Sequence, residues 1–223
     1  MFILLAVFTY QKFTEAKTGG GILNLPELPD GFSCYGFDIS HHQGDIDWNT
    51  TFKATDSLLS FVYCKATEGL NHVDSQWKNN REELNSHRTR NGAYHFFLPK
   101  KDPLLQAKHF LKNYSAQEGD LPPVLDVEVE GKSNAQLIEN MKIWLKKVEE
   151  VTGMRPVIYT SHHFYRTKFT AQFNNHKFWI ANYNRNVSNL EDEQIIHWQF
   201  SDEGTVPGIE GFVDFNFSKI EFD

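Results

Sequence analysis

The sequence predicts an α/β domain on a mostly parallel sheet, either open or closed into a barrel. Three observations carry this reading. From Tyr35 onward short β-like runs alternate with longer helical patterns, no internal repeat or low-complexity tract breaks the alternation, and polar residues recur at the C-terminal end of strand after strand.

The chain opens on MFILLAVFTYQKFTEAKTGGG, whose apolar run 2–8 is shorter than the roughly 20 residues a membrane-spanning helix needs and lacks the basic start of a secretory signal. Residues 1–31 are read as the remnant of a signal or anchor followed by a Gly/Pro-rich linker, 17–31, with an ordinary apolar N-terminal segment as the alternative. Contact with a membrane is expected only if that segment is an anchor. Residues 32–223 form the domain.

Within it the strand candidates are YGFDIS (35–40), LSFVYCKAT (59–67), GAYHFF (92–97), PVLDVEV (123–129), RPVIYTS (155–161), FWIANY (178–183) and IIHWQFS (195–201). Helical patterns fall at 74–90, 103–114 and 134–152. The last places Leu137, Met141, Trp144, Leu145 and Val148 on one stripe and ends at Gly153, a residue suited to a helix C-cap. Beyond Tyr183 strands continue with little helix, which is irregular for an eightfold barrel.

The segment VLDVEVE (124–130) alternates acids with branched apolar residues directly after Pro122 and Pro123. As a strand it sends Asp126, Glu128 and Glu130 to one face and Leu125, Val127 and Val129 to the other. Acids two residues apart lie roughly 6–7 Å from each other, close enough for one charge to raise its neighbour's pKa. An acidic solvent face on an edge strand would give the same pattern. Elsewhere the strand ends carry Asp38, Lys65 with Glu68, Tyr94 with His95, Tyr159, Asn182 with Tyr183, and Gln199, a placement that suggests one site.

Composition narrows the function. With 40% hydrophobic and 14% aromatic residues over 223 positions, a packed core is available. A net charge of -7 and the lack of a dense basic run argue against a nucleic-acid partner. Two cysteines, Cys34 and Cys64, exclude a disulfide scaffold and supply no CxxC pair for zinc. Each lies four residues before an acid at a strand end, so they could sit at similar depth and pair, or remain two buried thiols. The pairs His41-His42 and His162-His163 lack the helix spacing of a metal site such as HExxH, and a catalytic metal is not expected.

Taken in order, GFDISHHQGDIDW (36–48), KATEG (65–69), NGAYHFF (91–97), LPPVLDVE (121–128), TGMRPVIYTS (152–161), WIANY (179–183), HWQFSDEG (197–204) and GIEGFVDFNF (208–217) resemble the glycoside hydrolase family 25 lysozymes, the Chalaropsis-type muramidases. The one departure is Thr55-Asp56-Ser57-Leu58, where the family commonly has a small residue or glycine before the second strand. The resemblance implies an irregular TIM-like (β/α)5(β)3 barrel and hydrolysis of the β-1,4 bond between N-acetylmuramic acid and N-acetylglucosamine. It further implies peptidoglycan glycan strands as partner, no cofactor or metal, and an exported protein; a monomer is expected. The family's DxE pair falls on Asp126 and Glu128, its first-strand aspartate on Asp38 and its last-strand aspartate on Asp214.

Glycoside cleavage needs a proton donor for the leaving oxygen and a group that stabilises the oxocarbenium-like centre. Glu128 is the expected acid, its pKa raised by the adjacent carboxylates, and Asp126 either attacks the anomeric carbon or orients the substrate's own 2-acetamido group. Asp38 and Asp214 would tune or orient that pair, or merely cap loops. Tyr94, Tyr159 and Tyr183 are candidate substrate contacts, Trp179 and Trp198 candidate flat faces for sugar, and Gln199 a hydroxyl contact; for each aromatic residue a core position is the alternative. Glu130 is expected to face solvent at the strand's end. A noncatalytic glycan-binding module on the same fold is the competing function, and the filled acidic positions count against it.

Overall fold

The computed structural model describes residue 23 and residues 25–55, 58–184 and 190–221. The apolar run 2–8, the linker up to residue 22 and loop positions 56–57 lie outside the described residues.

Nine strands form one sheet: β1 (Cys34–Ile39), β2 (Leu59–Glu68), β3 (His72–Val73), β4 (Arg90–Phe96), β5 (Val124–Asp126), β6 (Val157–Ser161), β7 (Phe178–Ala181), β8 (Ile195–Gly204) and β9 (Val213–Ser218). Their order is β1-β9-β8-β7-β6-β5-β4-β2, and a β1–β2 pairing closes the ring of eight, with β3 a short antiparallel extension of β2. All neighbours around the ring are parallel except β9, which runs antiparallel to both β8 and β1. Helices α1 (Trp48–Thr55), α2 (Trp77–Ser86), α3 (Pro103–Asn113) and α4 (Asn134–Thr152) follow β1, β2, β4 and β5, and a short helical segment (His162–Phe164, continuing as Tyr165–Phe169) follows β6. Among the described residues, no α-helix follows any of the last three strands. The architecture is therefore the (β/α)5(β)3 barrel.

Local chemistry explains the elements that match expectation. The Ser133 hydroxyl accepts from the Gln136 N–H at the start of α4, and Gly153 ends it in the left-handed region at φ 71°, so 134–152 is helical along its whole expected length. In α3, Asp102 accepts from the Leu105 N–H and Pro103 stands in the first turn.

Other elements differ. The helix expected at 74–90 shortens to 77–86, because the Asp74 carboxylate is held by the His41 and Gln76 N–H groups and Arg90 already belongs to β4. The strand expected at 123–129 pairs only over 124–126. Neither α1 nor β9 was among the expected elements.

The apolar residues fall into two cores. Inside the barrel Phe61, Tyr63, Val124, Val157, Tyr159 and Trp179 pack together; between barrel and helices lie Val62, Cys64, Leu125, Val127 and the α4 stripe. Alternation along β2 and β5 produces this division. The same alternation corrects the expectation for His95. It points outward, stacked on Trp144 at 5.6 Å and sharing a 2.7 Å hydrogen bond with Thr67, while Tyr94 points inward. The cysteines follow the second of their two expected readings: Cys34 pairs with Ser218 at the start of β1, whereas Cys64 is in register with Ile39 at its end, so they lie at different depths and remain two buried thiols.

The barrel interior needs room for its aromatic layer, and glycines supply it. A Cβ on Gly92 would stand 2.3 Å from the Tyr63 ring, and one on Gly36 would stand 2.5 Å from the Phe61 ring. Gly92→Ala should therefore destabilise the protein by about 1–3 kcal/mol, read as a lower urea midpoint at unchanged m-value.

Candidate active site

The barrel mouth is built from alternate residues at the C-terminal ends of the parallel strands. β1 contributes Asp38, β4 Tyr94, β5 Val124 and Asp126, β6 Tyr159, β7 Trp179 and β8 Gln199, and Glu128 follows just beyond β5. β9 runs the other way, so its second residue, Asp214, sits at the mouth directly opposite Asp38. These nine residues line one cleft.

Gln199 ties the group together. Its Nε2 donates to Asp38 Oδ2 at 3.0 Å and to Asp214 Oδ2 at 3.2 Å, while its Oε1 accepts from the hydroxyls of Tyr159 and Tyr183, both at 2.8 Å. A second chain runs from the floor: Trp179 Nε1 donates to Asn216 Oδ1 at 2.7 Å, and Asn216 Nδ2 donates to Asp38 Oδ2 at 2.8 Å. An amide can donate on one side and accept on the other, so each of these side chains is used at both ends.

Burial and crowding set the protonation. Burial, then the neighbouring Asp214 charge, pushes Asp38 well above the usual carboxylate range, with the Asn216 and Gln199 hydrogen bonds opposing. Burial, then the charge of Glu128, likewise raises Asp126, and Lys65 pulls it back down. Asp214 is raised to about 6 by burial and by Asp202 and Glu128. Asp126 is the carboxyl that burial and crowding load with a proton, while Glu128 is exposed at the rim. Tyr159 and Tyr183 are also pushed upward by burial and stay protonated donors.

Asp126 Oδ1 is buried and has no hydrogen-bond partner. A buried acceptor in that state costs free energy until a ligand supplies a donor.

Of the candidate catalytic and substrate-contact side chains, the structure brings all but Trp198 to this mouth or its rim. Asp38, Asp126, Glu128, Asp214, Tyr94, Tyr159, Trp179 and Gln199 line the cleft, and Tyr183 joins through Gln199. Trp198 instead packs in the outer core against Phe32 and Phe217, its indole N–H donating to Asn182 O. Trp179 reaches the floor but is only 2% exposed, with its ring against Tyr63 and Tyr159, so it offers little open face for sugar. Glu130 is ion-paired to Lys168 at 2.9 Å outside the cleft. Asn216 is the contributor that sequence reasoning missed; its spacing of two from Asp214 is the signal that could have found it.

A second cleft adjoins the first and shares Glu128 and Tyr159 with it. Its other walls come from the His162–Phe169 segment and the end of β7. His41 lies elsewhere, bonded through Nδ1 to Asp74 at 2.7 Å, and among the described residues no group of three or more His, Cys, Asp or Glu is placed to hold a metal ion.

A closed α/β barrel with a cluster of partly protonated carboxylates at its mouth defines a hydrolase of the acid-base kind. The family model for glycosyl hydrolases family 25 matches residues 37–209, and the chain belongs to that family of glycoside hydrolases. It is 38% identical over 192 residues to the uncharacterized protein YegX of Escherichia coli (strain K12), covering 85% of this chain and 71% of that protein. It is 32% identical over 180 residues to an autolytic lysozyme of Clostridium acetobutylicum, covering 80% of this chain and 54% of the relative. Among solved structures, a family 25 glycosyl hydrolase from Bacillus anthracis superposes with a TM-score of 0.77 at 26% identity, covering 86% of this chain and 91% of the other.

The raised Asp214 has a consequence for stability. Between an ordinary value of 3.8 and about 6 the folded chain holds a proton that the unfolded chain has released, so stability falls as pH rises through that window. Asp214→Asn should flatten this part of the pH–stability curve and gain on the order of 1–3 kcal/mol at pH 7, measured by urea unfolding at pH 4 and pH 7.

Proposed function

We propose that the protein is a muramidase, cleaving the β-1,4 bond between N-acetylmuramic acid and N-acetylglucosamine in peptidoglycan with retention of anomeric configuration. The observation that carries the reading is the pairing of buried Asp126, whose Oδ1 lacks a partner, with exposed Glu128 on the wall shared by two clefts. The similarity to the Clostridium acetobutylicum autolytic lysozyme supports the substrate. Peptidoglycan lies outside the cytoplasmic membrane, so the protein works as an exported enzyme.

The chemistry follows from which oxygen can do what. An acetamido N–H docking on Asp126 Oδ1 supplies the missing donor and favours the ionised carboxylate, and the proton held there passes to neighbouring Glu128. Glu128 then protonates the glycosidic oxygen as the C1–O bond breaks. The acetamido carbonyl oxygen attacks C1, and Asp126 balances the positive charge of the cyclic intermediate. Water, deprotonated by Glu128, opens that intermediate from the face the leaving group vacated, which restores the starting configuration.

Substrate assistance is favoured over direct attack by Asp126 because the acetamido N–H that docks on its Oδ1 occupies that oxygen and turns the acetamido carbonyl toward C1. Asp38, Asp214, Tyr159 and Tyr183 act as positioning groups through Gln199.

Glu128→Gln and Asp126→Asn should each slow clearing of a cell-wall suspension by about 10²- to 10⁴-fold; clearing at the wild-type rate by Glu128→Gln would remove Glu128 as the acid. Mass spectrometry of the released fragments should show muramic acid at the reducing end. Reducing-end glucosamine would mean that the other glycan bond is cut. Treatment with a chelator should leave the rate unchanged, and loss of activity would indicate a metal-dependent hydrolase.

A further inference from the structure

The second cleft differs in charge from the first. The catalytic mouth holds four carboxylates, whereas the walls of the adjoining cleft carry Arg166, His162 and His163, and Glu128 is the one acid among its described lining residues. Among the described residues no ion pair or side-chain hydrogen bond engages the Arg166 guanidinium. In a chain of net charge -7, a cation left open beside the site is the exception.

Its backbone is held in place. The Ser161 hydroxyl accepts from the Phe164 N–H at 3.2 Å, buried Tyr165 donates to Asp192 at 2.5 Å, and Lys168 binds Glu130 at 2.9 Å. Thr167 also closes back on the His163 carbonyl at 2.7 Å. Glu130 thus acquires a use: it anchors the segment that presents Arg166. A guanidinium presented on an anchored backbone loses less freedom when it binds than one on a loose loop.

We propose that Arg166, with His163 beside it, forms a subsite for a carboxylate on the stem peptide that the glycan carries. The proposal rests on the muramidase reading. Because Glu128 and Tyr159 belong to both clefts, a sugar held at Asp126 has its substituents within reach of this wall. The guanidinium fork matches a carboxylate in two parallel hydrogen bonds, and elsewhere around the mouth the same anion meets acids that repel it.

The test compares wild-type protein with Arg166→Ala, Arg166→Lys and Arg166→Glu on three substrates: intact peptidoglycan, strands stripped of peptide by an amidase, and stripped strands with carboxyl groups methyl-esterified. On intact peptidoglycan Arg166→Ala should raise KM about tenfold with kcat within about twofold, Arg166→Glu should raise it further and Arg166→Lys should recover part of the loss. On esterified strands wild type and Arg166→Ala should have equal KM. A penalty on intact peptidoglycan that vanishes on stripped strands assigns the stem peptide; a penalty on stripped strands that esterification abolishes shows the same guanidinium taking the lactyl carboxylate that the amidase frees from its amide. Equal penalties on all three substrates, or none on any, would overturn the subsite. Titration of a soluble disaccharide-peptide and its methyl ester into wild type and Arg166→Ala, followed by calorimetry, reads the same contact without turnover: a preference for the free acid that Arg166→Ala loses supports it, and equal affinities overturn it. Wild-type protein that binds the disaccharide-peptide but cleaves no strand would count against the muramidase reading alone.

Discussion

The side-chain amide of Gln199 is the interaction on which the mouth of this barrel depends. A buried carboxylate, Asp38, and a half-buried one, Asp214, face each other across β1 and β9, an arrangement that repulsion and desolvation both oppose. One amide nitrogen donates to both acids, and the amide oxygen collects the hydroxyls of Tyr159 and Tyr183. Raised pKa values complete the compromise, since a carboxyl that keeps its proton needs no counter-charge. Side chains from β1, β6, β8 and β9, with Tyr183 just beyond β7, are thereby fixed relative to one another.

The antiparallel β9 makes this possible. In an all-parallel ring every strand presents its C-terminal end at the mouth, so Asp214, near the start of its strand, would lie at the far end. Running backward, β9 delivers Asp214 to the mouth and sets Asn216 one alternation below it, where it links Trp179 to Asp38. The reversed direction of β9 and the chemistry of the site are thus two aspects of one topology.

Much of this was legible in the residues. The α4 stripe, with Ser133 and Gly153 as its caps, gave a helix of the expected extent because packing and capping agree there. VLDVEVE showed which side chains face inward, but not where pairing ends: the Val127 N–H still donates to Tyr159 O, after which the chain leaves the ladder and Glu128 reaches the rim. β9 was hidden because its alternation is inverted, with polar Asp214, Asn216 and Ser218 turned toward the barrel and Val213, Phe215 and Phe217 outward. α1 was hidden by its three threonines, which lower intrinsic helix propensity; it forms because Trp48, Thr51 and Ala54 bury against the barrel. Protonation was the least legible property. Spacing alone did not show that Asp126 would gain a proton; depth, which only the fold supplies, selects it.

That selection is the central claim, and a titration of the aspartate carboxyl carbons by 13C NMR, assigned with Asp126→Asn, tests it most directly. The account predicts that in the free protein Asp126 ionises well above the range near 4 usual for aspartate, and that a bound N-acetylated glycan fragment shifts its ionisation downward. Ionisation of Asp126 in the ordinary range, unmoved by the ligand, would contradict it.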